Sequence, residues 1–297
     1  MMIESKPISV DGDTKFLKLA KDMGWTGNGT KNNPIIISNL KIVAPKPSTD
    51  KLIEYAKSIG IMISNTDLYF IIENCIIELP HFSCSGIHIN DVKHAIIRNN
   101  TIFAPNNQYG NKGIIAYCDR SMIYSNSIYS TTIAIEVSGN ANLVFNNLIC
   151  GIKYVTSDGI NIMLGLANIV AHNVITVAKT SFTIFHGNMN IITNNLILDN
   201  ISNSTFNMGN SENNNIMHNM IINEPHTDIS FLDKSKNNFI YSNYMFSTDK
   251  DVPFDNIWVY NPNCEHNAYI RNLVPANRLY KLADKYIFTI KNKPYWL

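Results

Sequence analysis

The sequence predicts an all-β protein, a single-stranded right-handed parallel β-helix of about nine or ten coils with a short helical cap at each end. Three observations support this prediction: a phrase that recurs about every 21 to 26 residues, alternation of apolar and other residues, and an unusual abundance of Ile and Asn. Ile favours strands, whereas Asn is depleted from strand interiors and tolerates the backbone of tight bends. Such a chain is expected to alternate short strands with bends.

The repeated phrase consists of two aliphatic residues, two of any type, an Asn, one more residue and an aliphatic one. It places Asn at the same point of successive repeats, namely Asn74, Asn100, Asn126, Asn147, Asn173, Asn195, Asn219 and Asn243. We expect these side chains to stack into a ladder and each Asn to adopt the left-handed backbone of a bend. Later repeats add a second Asn five residues upstream, namely Asn142, Asn168, Asn190, Asn214 and Asn238.

A second phrase, about ten residues before each ladder Asn, predicts the longest strand of each coil. It reads GIHIN, GIIAY, AIEVS and GINIM in the middle of the chain. Alternation with a period of two directs Ile87, Ile89, Ile135 and Ile160 to a common interior. A helix would need apolar residues three and four apart, which these segments lack.

An open solenoid exposes strand edges at both ends, so we expect caps there. Residues 14–23 predict a helix with Asp13 as N-cap and with Phe16, Leu19, Ala20 and Met23 on one face. Residues 275–288 predict a second cap helix, and residues 43–59 a bulge with a short helix. The expected organisation is an N-terminal cap over 1–33, a β-helix over 34–270, and a C-terminal cap with a basic tail over 271–297.

The segment from Trp25 to Ile42 and the coils that follow resemble NosD-like right-handed β-helix repeat proteins of the pectin-lyase-like superfamily. The resemblance covers about residues 13–270 and implies the fold. It implies no single activity, because the superfamily includes lyases, hydrolases, esterases, adhesins, phage tailspikes and inert scaffolds. NosD proteins are linked to copper delivery, but the eight His residues here are dispersed. We therefore expect no metal and no cofactor.

Composition limits which metals, nucleic acids, proteins and membranes this chain is expected to bind. The five Cys are far apart and form no CxxC pair, which argues against disulfides and a zinc site. The body is mildly acidic, so we expect no nucleic acid on it. The basic tail, which includes Arg271 and Lys293, is a candidate contact for a protein partner or a second copy. No apolar run reaches the ~18 residues of a membrane span, and the N-terminus lacks the pattern of a secretory signal. These features leave the location open, with a cell surface or a virion as our expectation.

The outer face of the long strands is the expected place for a site. Its predicted central row is Met62, His88, Ile115, Glu136, Asn161, Thr183, Asn207, Ser230 and Trp258, and the next row is Ser64, Asn90, Tyr117, Ser138, Met163 and Phe185. We predict that no Arg or Lys faces outward from the central strands. The candidate ligand-binding residues are His88, Tyr117, Glu136, Asn161, Phe185 and Trp258, because aromatic rings beside amides suit sugars.

Two carboxyl groups on this face, those of Glu136 and Asp158, are candidates for catalysis. Glycoside hydrolysis needs carboxyl groups about 5 Å apart or about 6.5–9.5 Å apart, and the repeat places these two ~10 Å apart. The favoured hypothesis is therefore a non-enzymatic, surface or virion-associated scaffold that binds glycan through this face. The alternatives are a polysaccharide hydrolase or lyase with a groove around Glu136, and a purely structural rod.

Overall fold

The computed structural model describes residues 2–47, 58–105, 110–151, 157–176, 178–198, 204–222, 229–232, 234–246, 257–259 and 268–272. Within these residues there is one helix, α1 (Asp13–Asp22). The first fifteen strands are β1 (Ile3–Ser5), β2 (Ile8–Asp11), β3 (Ile35–Ser38), β4 (Leu40–Val43), β5 (Ile59–Thr66), β6 (Phe70–Glu73), β7 (Ile76–Glu78), β8 (Ser85–Lys93), β9 (Ala95–Arg98), β10 (Thr101–Phe103), β11 (Lys112–Asp119), β12 (Met122–Tyr124), β13 (Ser127–Tyr129), β14 (Ile133–Asn140) and β15 (Leu143–Phe145). The others are β16 (Leu148–Cys150), β17 (Asp158–Leu166), β18 (Ile169–Ala171), β19 (Val174–Thr176), β20 (Thr180–Phe185), β21 (Ile191–Thr193), β22 (Leu196–Leu198), β23 (Ser204–Gly209), β24 (Asn215–Met217), β25 (Met220–Ile222), β26 (Ile229–Leu232), β27 (Phe239–Phe246), β28 (Ile257–Val259) and β29 (Ala268–Asn272).

These strands form a parallel β-solenoid, which confirms the predicted fold class. Each coil gives one long strand to a ten-stranded sheet and short strands to a nineteen-stranded sheet. The ten-stranded sheet runs β2-β5-β8-β11-β14-β17-β20-β23-β26-β28, so that each long strand pairs with those of the coils before and after it. Residues about one repeat apart in sequence therefore become neighbours, ~4.8 Å apart.

The interior is filled by rows of aliphatic side chains, as alternation predicts. Ile87, Ile89, Ile135 and Ile160 have no exposed surface, and equivalent residues of other coils stack above and below them. Burial of one such side chain stabilises a fold by about 1.5–3 kcal/mol. Repetition of this row in every coil supplies the main driving force for folding.

The long strands depart from strict alternation near their starts. A Cβ atom on Gly113 of β11 would lie 2.7 Å from Ile128 Cγ2, so this position points into the core. The following residue, Ile114, is also buried. Two successive residues face the interior, and this irregularity turns the residue before them, Lys112, to the outer face.

A ladder of buried Asn side chains lines one corner, as predicted, over Asn100, Asn126, Asn147, Asn173, Asn195, Asn219 and Asn243. The side-chain oxygen of Asn195 accepts bonds from the backbone N–H of Asn173 at 2.9 Å and from Asn173 Nδ2 at 3.0 Å. Asn173 Nδ2 also donates to the carbonyl of Val144 at 3.0 Å. Each ladder residue therefore satisfies a buried backbone donor and a buried backbone acceptor of the preceding coil, as Asn173 does with Asn147 N–H and the Val144 carbonyl.

The prediction that each ladder Asn itself adopts the left-handed backbone is wrong by one residue. The left-handed residue is the one before each ladder Asn, for example His172 with φ 56° before Asn173. Asn74 itself has φ 54°, and Cys75 occupies the ladder position, where its N–H donates to Asn100 Oδ1 at 3.0 Å. The phrase was ambiguous because Asn suits both positions and several coils carry two in succession.

The second Asn series forms a ladder of its own. Asn142 Oδ1 accepts the N–H of Ser121 at 3.0 Å, and Asn168 Oδ1 accepts the N–H of Asn142 at 2.9 Å. The same contacts continue through Asn190 and Asn214 to Asn238. Two corners of these coils are thus held by buried amides.

Helix α1 packs against the core at the N-terminal end, where Phe16 and Phe70 meet edge to face with ring centroids 5.3 Å apart. Asp13 is the first helical residue and not the N-cap, because Gly12 precedes the helix with φ 85°. Met23, expected on the apolar face, is 44% exposed. Strands β1 and β2 already pair with β4 and β5, so the solenoid begins before residue 34.

Several expectations lie outside the described residues. They are the cap helix over 275–288, the basic tail, and most of the short helix expected within 43–59. Among the residues that the structure describes, no helix has the length and apolar character to span a membrane.

The ladder predicts that substitutions at two adjacent residues differ in their effect on stability. Asn173→Ala should lower the free energy of unfolding by about 1–3 kcal/mol, because the buried N–H of Asn147 and carbonyl of Val144 lose their partner. His172→Gly should leave the midpoint of thermal unfolding nearly unchanged, because Gly adopts positive φ without steric cost. Thermal melts followed by circular dichroism measure both, and an unchanged midpoint for Asn173→Ala would contradict the ladder's role.

Candidate functional site

The outer face of the ten-stranded sheet carries the two predicted rows in the predicted register. Strand pairing aligns Met62, His88, Ile115, Glu136, Asn161, Thr183, Asn207, Ser230 and Trp258 as the central row. It aligns Ser64, Asn90, Tyr117, Ser138, Met163 and Phe185 as a second row, here called the Tyr117 row. A third set of paired residues, the Lys112 row, contains Ser85, Lys112, Ile133, Asp158 and Thr180.

Glu136 lies at the centre of this face and both of its carboxylate oxygens have partners. Lys112 Nζ lies 2.9 Å from Oε2, and the hydroxyl of Tyr117 donates to Oε1 at 2.5 Å. The Glu136 side chain is only 10% exposed and that of Lys112 is 33% exposed. The prediction that no Lys faces outward from the central strands is therefore wrong. The prediction fails because Gly113 and Ile114 both face the interior, whereas strict alternation would place only one of them there.

Tyr117 is held as a hydrogen-bond donor. Burial raises its pKa to about 12, and the hydrogen bond to Glu136 and the negative charge of that carboxylate act in the same direction. The hydroxyl consequently remains protonated at neutral pH, with its proton directed at Glu136.

His88 lies beside this group, with its ring edge to face against Tyr117 at a centroid distance of 5.7 Å. Burial lowers the pKa of His88, and the charge of Lys112 lowers it further, against an opposing effect of Glu136. Its buried Nε2 has no hydrogen-bond partner among the described residues. The ring is therefore neutral near pH 7, with a nitrogen that none of the described residues engages.

Asn161, one strand further along, is 5% exposed. Its Nδ2 donates to Asp158 Oδ2 at 3.3 Å, which fixes the orientation of the amide. Its Oδ1 is buried without a partner among the described residues, as is Asn207 Oδ1 two strands beyond in the same row. Burial raises the pKa of Asp158, whereas the hydrogen bond from Asn161 and the charge of Lys179 lower it less strongly.

The two remaining candidates lie farther along the sheet. Phe185 is in the Tyr117 row three strands from Tyr117, half-buried, with its ring edge to face against His186 at 4.5 Å. Trp258 pairs with Ser230 in the central row, and its side chain lies outside the described part of the structure. The structure thus brings together His88, Tyr117, Glu136, Asn161 and Asp158, and it adds Lys112.

The described residues contain no group of three His, Cys, Asp or Glu side chains arranged to hold a metal ion. Within the same residues four Cys are free and buried, and burial raises the pKa of Cys75 to about 11 and those of Cys118 and Cys150 to about 12. These thiols are therefore packed and protonated, a state unsuited to nucleophilic chemistry.

Comparison with solved structures shows which fold this is. An alginate lyase from Paenibacillus sp. str. FPU-7 superposes with a TM-score of 0.58 at 13% identity, over 89% of this chain and 99% of that one. The fold is therefore a right-handed parallel β-helix. A DFA-IIIase mutant from Arthrobacter chlorophenolicus A6, in complex with DFA-III, gives a TM-score of 0.51 at 14% identity over 75% of this chain and 67% of that one.

At these identities the likeness concerns the fold alone. No protein-family model matches the sequence, and no curated protein sequence matches it. The function of the outer face must therefore be argued from its own residues.

The Lys112–Glu136 contact predicts a clear double-mutant result. Lys112→Met should destabilise the protein by about 1–3 kcal/mol, because it leaves the largely buried Glu136 carboxylate without its cation. Adding Glu136→Gln should recover most of that loss, since the amide carries no charge. Urea unfolding of the two single variants, the double variant and the parent measures the coupling. Simple additivity of the two losses would contradict an ion pair that matters energetically.

Proposed function

We propose that the outer face around Tyr117, Glu136 and Asn161 binds carbohydrate, and that the chain acts as a binding scaffold without chemistry of its own. The observation that supports this is the set of unpartnered, buried polar atoms on His88, Asn161 and Asn207, all in the central row. Location on a cell surface or a virion remains a prediction from the sequence, as does the finer resemblance to NosD-like proteins.

Unpartnered buried polar atoms are uncommon, and each costs about 1–3 kcal/mol. Three of them in one row on the outside of a sheet form a pattern that a ligand rich in hydroxyl groups can satisfy. The Tyr117 row beside them supplies the rings of Tyr117 and Phe185. Aromatic rings next to fixed polar groups are the usual composition of a sugar-binding surface.

The state of Glu136 favours binding over catalysis. A catalytic carboxylate must reach the reacting atom or a water beside it. Both Glu136 oxygens are instead engaged, by Lys112 and by Tyr117. A lyase acting on a uronate would also need a cation free to neutralise the substrate carboxylate, and Lys112 is already paired.

Hydrolysis of a glycosidic bond is the second candidate, and one observation favours it. Asp158 is half-buried with a pKa that burial raises, whereas the carboxylate of Glu136 on the adjacent strand is ion-paired with Lys112. Two carboxyl groups in such different environments are the arrangement that separates a general acid from a base.

The names of the two similar structures, an alginate lyase and a DFA-IIIase, are compatible with carbohydrate as the ligand class.

A glycan array combined with mass analysis of products separates these functions. For the glycan that binds, Tyr117→Ala and Phe185→Ala should each weaken affinity by about tenfold, because a stacked ring contributes about 1 kcal/mol or more. Phe239→Ala is the matched control, since Phe239 is an exposed aromatic residue of the nineteen-stranded sheet and should not affect binding.

The same samples test the alternatives. Cleavage products that appear with the parent and disappear in Asp158→Asn would replace the binding scaffold with a hydrolase. Absence of both binding and cleavage across the array would leave the purely structural rod.

A further inference from the structure

The hydrogen-bonding needs of the central row indicate what its ligand must supply. Because Asn161 Nδ2 donates to Asp158, the unpartnered atom of Asn161 is its carbonyl oxygen, which can only accept. Asn207 Oδ1 is a second unpartnered acceptor, two strands away and therefore ~10 Å from it along the row. Both atoms call for donors.

A hydroxyl group donates one hydrogen bond, whereas an ionised carboxylate only accepts. A neutral sugar therefore meets the requirement of Asn161 and Asn207 through its hydroxyl groups. A carboxylate placed against either amide oxygen would bring two acceptors together and leave both unsatisfied.

The charges of the face also favour a neutral ligand over one that carries a carboxylate. Over the three rows of strands β8, β11, β14, β17 and β20, Lys112 is the one Lys or Arg, and its ammonium group is 2.9 Å from Glu136. The carboxyl group of Asp158 lies in the same row as Lys112. Lys179, just before β20, acts on Asp158. Lys112 is thus paired with an acidic group of the protein.

We infer that the ligand of this face is a neutral glycan, recognised through hydroxyl groups that donate to Asn161 and Asn207, and that glycans carrying carboxylates are discriminated against. This inference rests on the proposed carbohydrate binding and deepens it by naming the class of sugar. It separates this chain from a binder of uronate polymers, although both could use the same fold.

Matched pairs of oligosaccharides provide the test. The probes are gluco-, manno- and galacto-oligosaccharides, each compared with the uronate oligomer that differs only in a carboxylate in place of the C6 hydroxymethyl group, together with neutral fructo-oligosaccharides. Calorimetric titration at low salt should show at least one neutral probe binding, and its uronate counterpart binding at least tenfold more weakly.

Variants of the two amides and of the Lys112–Glu136 ion pair test which groups recognise the probe. Asn161→Ala and, independently, Asn207→Ala should weaken binding of the neutral probe at least tenfold. Asn215→Ala, an Asn at a pairing position of the nineteen-stranded sheet, should not weaken it. Glu136→Gln should raise the affinity for the uronate probe severalfold, because it leaves Lys112 without its anion.

The outcomes distinguish a failure of this inference from a failure of the proposed carbohydrate binding. Uronate binding as tight as, or tighter than, that of the neutral counterpart overturns the inference and leaves carbohydrate binding intact. Retention of neutral binding in both Asn161→Ala and Asn207→Ala also overturns it. Failure of every neutral and uronate probe to bind overturns the proposed function itself.

Discussion

The structure depends on the satisfaction of buried backbone groups at the corners of each coil. A corner interrupts sheet pairing, so its N–H and carbonyl groups need other partners, and an unpaired buried group is costly. Asn meets both needs with one side chain, since Asn173 donates to Val144 and its oxygen accepts from Asn147. A left-handed residue such as His172 makes the turn immediately before it.

This constraint sets the spacing of everything on the outer faces. Because the ladders hold successive coils in register, residues of different coils form straight rows about one strand spacing apart. Lys112, Tyr117 and Glu136 come from two adjacent long strands and meet only because of that register. The pairing of Lys112 with Glu136 then removes the free charge from the face and leaves amides, a neutral imidazole and aromatic rings to define what can bind there.

Much of this arrangement could be predicted from the sequence. The repeat and the two-residue alternation place Glu136 beside Asn161, and Tyr117 in one row with Phe185, as the strand pairing shows. These features depend on local periodicity alone. The ladder was also predictable, because its residues are nearly all Asn.

The errors have a common physical origin in single-residue shifts of register. Lys112 was missed because the inward turn of both Gly113 and Ile114 breaks the alternation. The Gly that precedes the inward Ile in several coils is the signal that could have revealed it, since only a small residue fits there. The repeat pattern places Asn74 in the ladder for a similar reason, because Asn is favoured both in the left-handed turn and in the ladder. The hydrogen-bond partners of Glu136 and Asn161 depend on distances between side-chain atoms, which the periodicity of the sequence does not predict.

The substitution Cys75→Asn tests the ladder as the organising interaction most directly. An amide at this position should donate toward the carbonyl of Ile37, which the Cys75 thiol contacts at 4.0 Å, and should accept from the nearby N–H of Leu40. The account predicts a higher midpoint of thermal unfolding, with a gain of about 1 kcal/mol in the free energy of unfolding. A lower midpoint, with Asn packed less well than the original thiol, would contradict the claim that the ladder's hydrogen bonds determine how the coils are held together.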